Sequence, residues 1–190
     1  MSRALTRIDE LYHRVTGVLN KTYRPLDGIP FFRFLYSPEE ERAVLEAFNL
    51  LVQRLEAGGY EAGIVSFFDV LETGLMEMAN VSVADLPSCL KQYEQADRED
   101  FLFRLHTYLP SHLTARLKNR LEEYSPSACI VLTRTGVLFP FVRLSSLLAS
   151  LEGQTNQLLV ALYPGDQEGA MLRDPSFDMA ITHYYRGEVL

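Results

Sequence analysis

Arg134-Thr135-Gly136-Val137 sets an arginine and a glycine directly after an apolar run and shortly before a helical pattern, an order suited to holding an anion where the chain leaves a strand. Pro164-Gly165-Asp166-Gln167-Glu168-Gly169 follows a second apolar run. With Arg143 these segments suggest a ligand crevice of Arg134, Gly136, Arg143, Gly165 and Asp166. Its chemistry would be capture of a small phosphate or nucleotide, the arginines acting as anion clamps. The pattern stops short of a nucleotide signature, because neither Gly-x-x-x-x-Gly-Lys-Ser/Thr nor Gly-x-Gly-x-x-Gly follows any apolar run. A glycine turn with Arg134 in solvent is the plainer reading. Asp166 and Glu168 lie close enough to share a magnesium ion, but no third carboxylate is near in sequence.

The other reactive side chains assemble no catalytic set. His13, His106, His112 and His183 have no metal-ligand spacing; His106 and His112 flank Pro110, and His183 sits beside Tyr184 and Tyr185. Ser145 and Ser146 fall within a helical pattern and lack the Gly-x-Ser-x-Gly elbow. Cys129 lies among apolar residues and reads as core, and Cys89 follows Pro87-Ser88 at a helix start. Asp69 reads as a helix N-cap, with Glu72 completing a capping box. Arg116, Lys118 and Arg120 give a short basic face that Glu122 and Glu123 close off, so no direct nucleic-acid contact is expected.

The elements that would position these residues follow from periodicity. Leu5, Ile8, Leu11, Tyr12, Val15, Val18 and Leu19 recur at helical spacing over 3–21. Phe31–Tyr36 is a short strand, and Ser37-Pro38-Glu39-Glu40 is a helix start with Ser37 as cap. That helix turns Val44, Ala47, Phe48, Leu51, Val52 and Leu55 inward and stops at Gly58-Gly59. Strands are expected at 63–68, 128–133 and 157–163, with one more near 184–189. A helix with Leu144, Leu147, Leu148 and Leu151 links the third and fourth. Residues 82–124 form a helical insertion that Pro87 and Pro110 interrupt. Apolar strands alternating with helices predict an α/β three-layer sandwich on a mainly parallel sheet, a single domain over 1–190.

Composition agrees. The 190 residues are 47% hydrophobic and 23% charged, with a formal charge of −7 that argues against a protein coating nucleic acid. Residues 1–36 carry 6 bases and 3 acids, whereas 37–100 carry 4 and 14. Solvated helix faces account for most of those acids, and an acidic surface for a basic partner is the alternative. Two cysteines exclude a disulfide framework. No apolar stretch is long enough for a membrane span, and Arg7, Asp9 and Glu10 leave no signal-peptide run, so a cytoplasmic protein is expected.

Four segments in order carry a family resemblance: Ile29-Pro30-Phe31-Phe32-Arg33-Phe34-Leu35-Tyr36-Ser37-Pro38-Glu39; Thr135-Gly136-Val137-Leu138-Phe139-Pro140-Phe141-Val142-Arg143-Leu144-Ser145-Ser146-Leu147-Leu148; Tyr163-Pro164-Gly165 with Leu172-Arg173; and His183-Tyr184-Tyr185-Arg186. The chain resembles the BrxB family of BREX (bacteriophage exclusion) operons over nearly its whole length, least in the helical middle. It departs from the family pattern at His183, where asparagine is usual, and after Gly165, where an aromatic commonly follows. The resemblance implies a cytoplasmic, non-catalytic adaptor without a cofactor. The implied partner is a PglZ-type, alkaline-phosphatase-fold subunit, with the BREX ATPase and adenine methyltransferase as further candidates. Phe139, Phe141, His183, Tyr184, Tyr185 and Arg186 offer aromatics and an arginine, the residue types that anchor interfaces, and are the candidate partner surface.

Overall fold

The computed structural model describes residues 3–25, 30–168, 171–173 and 188–189. Helix α1 (Arg3–Leu19) leads to β1 (Phe31–Tyr36), then α2 (Glu41–Ala57), β2 (Ala62–Ser66), α3 (Phe67–Ala79), α4 (Leu86–Ala96) and α5 (Arg98–Glu122). Then come β3 (Cys129–Thr133), α6 (Leu144–Leu151), β4 (Leu158–Pro164), a small antiparallel hairpin of β5 (Asp166–Glu168) and β6 (Met171–Arg173), and β7 (Glu188–Val189).

Five strands form one all-parallel sheet in the order β2-β3-β4-β1-β7. A parallel sheet must be covered on both faces, and side chains alternate between them. Phe32, Phe34, Cys129, Val131, Val160 and Leu162 face α1 and α2, where Leu11, Val15, Phe48 and Leu51 close the layer. Phe31, Leu35, Ile130, Leu132, Leu159 and Ala161 face α3, α5 and α6. The structure is therefore the α/β three-layer sandwich that the alternation predicts. Among the described residues, no helix is long and apolar enough to cross a membrane.

Local departures have local causes. Ser37-Pro38-Glu39-Glu40 is a 3-10 turn ahead of α2, and the Ser37 hydroxyl bonds the Glu39 carboxylate instead of capping a backbone N–H. β2 ends at Ser66, so Asp69 is not an N-cap: it stands third in α3, where its charge still favours the helix N-terminus. Pro87 lies in the first turn of α4 and starts that helix rather than interrupting it. Pro164 belongs to β4, and Asp166 and Glu168 belong to β5 rather than to a loop. Of the expected C-terminal strand, Glu188–Val189 is β7 and 184–187 lie outside the described residues.

Pro110 sits inside α5, which continues through it for three more turns. The helix persists because Leu105, Leu109, Leu113, Leu117 and Leu121 form a buried stripe at every fourth residue. Packing outweighs the roughly 3 kcal/mol penalty of an interior proline. Pro110→Ala is expected to raise stability by about 2 kcal/mol, the helix gain less the unfolded-chain entropy that proline removes. Urea denaturation reads this directly, and an unchanged midpoint would contradict it.

Candidate functional site

The carboxyl edge of the sheet gathers the ends of β1, β4 and β3. α2, which follows β1, covers one face, while α3 and α6, which follow β2 and β3, cover the other. β1 and β3 flank β4 and send their next helices to opposite faces, so the switch point lies over the end of β4. Thr135 fixes the chain there, its hydroxyl donating to the Leu162 carbonyl at 2.5 Å. The Gly165 N–H donates to the Tyr36 carbonyl at 2.9 Å. Gly165 takes φ of 149°, a conformation that side-chain-bearing residues rarely adopt.

Arg134 directly follows β3, in the left-handed region with φ of 55°, and is exposed. Gly136 is exposed beside it, and a Cβ there would touch the Pro164 ring at 3.4 Å. The structure thus brings Arg134, Gly136 and Gly165 to one edge. Arg143 stands exposed at the start of α6, and nothing is described of the Asp166 side chain.

Tyr36 is the residue here that sequence reasoning overlooked. It ends β1 opposite Pro164, only 3% exposed, and among the described residues its hydroxyl has no hydrogen-bond partner. Burial pushes its phenol well above the ordinary range; the Glu41 carboxylate acts in the same direction and the Arg134 guanidinium opposes it. Both charges are therefore felt at this hydroxyl. An unpartnered buried hydroxyl carries a desolvation penalty of about 1–3 kcal/mol. Tyr36→Phe is expected to stabilise the fold by about 1 kcal/mol, the lower end because a small void remains. A loss of stability in thermal unfolding would show that the hydroxyl is already satisfied.

The remaining candidates separate. His106 lies 5.9 Å from the half-buried Phe141 ring, centroid to centroid, whereas His112 lines a groove on another side of α5, so the two do not meet. Phe141 packs against the apolar layer beneath α5 and α6, while Phe139 is half-exposed. His183, Tyr184, Tyr185 and Arg186 lie outside the described residues. Cys129 is fully buried, its thiol pushed up to about 12 by desolvation, which makes it inert packing. Arg116 pairs with Glu77, Lys118 donates to Gln154 at 2.6 Å, and Arg120 reaches Glu123 at 3.0 Å. Each base of that short face is held by a neighbour. Among the described residues, no group of three or more His, Cys, Asp or Glu is placed to hold a metal.

The helical side carries large aromatics in solvent: Phe68, Tyr93, Phe103 and Tyr108. Phe103 and Tyr108 fall off the leucine stripe of α5, which was the available signal that they face outward. Met78, Leu90, Tyr93, Phe101 and Tyr108 line a groove of about 290 Å³ between α3, α4 and α5. A cleft of about 580 Å³ opens at the amino edge of the sheet near Lys21 and Arg24.

These features define a doubly wound α/β protein with Arg134, Gly136 and Gly165 at its carboxyl edge and exposed aromatics on its helical layer. The family model described as BREX protein BrxB matches residues 68–189. The chain belongs to the BrxB family, and membership implies involvement in a BREX phage-defence system. The match takes in the helical middle and begins after β1, so the Ile29–Glu39 segment lies ahead of it. No curated protein and no solved structure matches the chain.

Proposed function

We propose that the protein is a non-catalytic adaptor of a BREX system that binds a PglZ-type, alkaline-phosphatase-fold subunit in the cytoplasm and helps assemble the complex with the ATPase and methyltransferase. The observation that carries this reading is the set of half-exposed aromatics, Phe68, Tyr93, Phe103, Tyr108 and Phe139, all within the family-matching span. Exposed aromatic side chains are the type that anchors protein interfaces. Affinity purification of the tagged protein from cells expressing its own gene neighbourhood tests it. Near-stoichiometric recovery of a phosphatase-fold subunit supports the adaptor, and a partnerless protein refutes it.

A second reading, capture of a small phosphate or nucleotide at the carboxyl edge, is favoured by the unpartnered Tyr36 hydroxyl lying in the field of Arg134. Glu39, Glu40 and Glu41 begin the next segment of chain at that edge and oppose an anion, which ranks this reading second. A ligand bound only by the folded state raises the melting temperature. Nucleotides with magnesium at millimolar concentration that leave it unmoved remove this reading.

A further inference from the structure

The groove between α3, α4 and α5 is walled by two tyrosines in solvent, Tyr93 at 47% and Tyr108 at 52% exposure, over half-buried Met78, Leu90 and Phe101. Its volume of about 290 Å³ lies just below the range of small-molecule and cofactor clefts, about 300–1,000 Å³. The leucine stripe of α5 is buried, whereas these two tyrosine rings stand in solvent among the described residues.

The charge on the rim selects the occupant. Asp97 caps α5 with one carboxylate oxygen, accepting from the Asp100 N–H at 3.0 Å. Asp100 is matched internally by Arg104, whose Nε donates to it at 2.6 Å. Asp97 has no ion pair among the described residues, which leaves the lining with two carboxylates against one guanidinium. Aromatic faces beside carboxylates favour a cation whose stem is apolar, so a lysine or arginine matches both halves of the groove. An acidic segment would be repelled, and a neutral apolar one would bury Asp97 uncompensated.

We infer that this groove docks a basic segment of the BREX partner, a lysine or arginine side chain lying across Tyr93 and Tyr108 with its charge toward Asp97. The inference rests on the adaptor reading and names the surface that reading uses. Its test places the photo-crosslinker p-benzoylphenylalanine at position 93 in the full chain, expressed with its gene neighbourhood, and identifies the captured peptide by mass spectrometry. A peptide from a co-purifying BREX subunit with lysine or arginine at the crosslinked site is expected. The second arm uses Asp97→Asn, which removes the charge but keeps a good N-cap, combined with Tyr108→Ala. That double variant is expected to weaken partner retention about tenfold or more, the loss typical of truncating an interface anchor, with an unchanged melting temperature.

If the wild type recovers the subunit but the crosslinked peptide lacks a basic residue, or is a second copy of this chain, the groove assignment is wrong and the adaptor stands. Full retention by the double variant has the same meaning. If the wild type recovers no BREX subunit, the adaptor reading fails and this inference fails with it.

Discussion

Glu188→Ala is expected to destabilise the fold by about 3 kcal/mol, the low end of what breaking a buried ion pair removes. Glu188 is 3% exposed on β7, opposite Phe32 of β1, and faces the α1 side of the sheet. Its carboxylate forms an ion pair with Arg14 and accepts from the Tyr23 hydroxyl at 2.6 and 2.7 Å. Alanine would remove the buried carboxylate that Arg14 and Tyr23 share, both of them still partly open to water. Arg14 retains Glu10 and is partly open to water, which holds the loss near the lower bound. Glu188→Gln keeps acceptor and shape and is expected to lose about half as much. Urea denaturation of the three proteins measures this, and a Glu188→Ala loss under 1 kcal/mol would mean the cluster is not a structural tie. Because Glu188 lies inside the family-matching span while Arg14 and Tyr23 precede it, the contact joins α1 to the remainder of the fold.

The second large effect lies where α3 meets α5. Leu113 is fully buried, and a Cβ built on Gly74 would approach its Cδ2 to 3.0 Å, so the helices nest through that glycine. Leu113→Ala is expected to lose about 2–5 kcal/mol, the transfer free energy plus the cavity. Gly74→Ala alone should destabilise by about 1–3 kcal/mol, because a closed core around Leu113 leaves no room for the methyl group to be accommodated. In the Leu113→Ala background the sign should invert. There the added methyl group fills part of the cavity, and alanine gains roughly 1 kcal/mol over glycine inside a helix. Additive losses in this double-mutant cycle would show that the two positions do not touch in solution.

Much of the architecture was legible residue by residue. The inward positions of α2, from Val44 to Leu55, are those its apolar spacing predicts, and β1 runs from Phe31 to Tyr36 as the aromatic run implies. The apolar runs at 128–133 and 157–163 became β3 and β4, central strands buried on both faces. The failures also have reasons. Pro110 reads as a break because the local penalty is visible in sequence, whereas the leucines that overrule it act through contacts with other elements. Asp69 reads as a cap because its type suits one, yet β2 gives way two residues earlier. Gln157 reads as the first residue of a strand; it also donates its side-chain amide to the Leu121 and Tyr124 carbonyls at the end of α5, a contact no spacing announces.

The candidate sites divide in the same way. Arg134 and Gly165 were readable because strand ends and glycines mark the edge where ligands sit, but Tyr36 was not, since Arg134 and Pro164 reach it from distant segments of the chain. Most of the larger elements, their apolar faces and a parallel sheet covered on both sides are readable from the amino acids alone, because hydrophobic periodicity and chain punctuation act over a few residues; the β5–β6 hairpin and the passage of α5 through Pro110 are not. The order β2-β3-β4-β1-β7, the closeness of Tyr36 to Arg134 and the open groove beside Asp97 emerge on folding. Strand order and groove shape are set by burying all the apolar faces at once, a condition on the whole chain that no local stretch encodes.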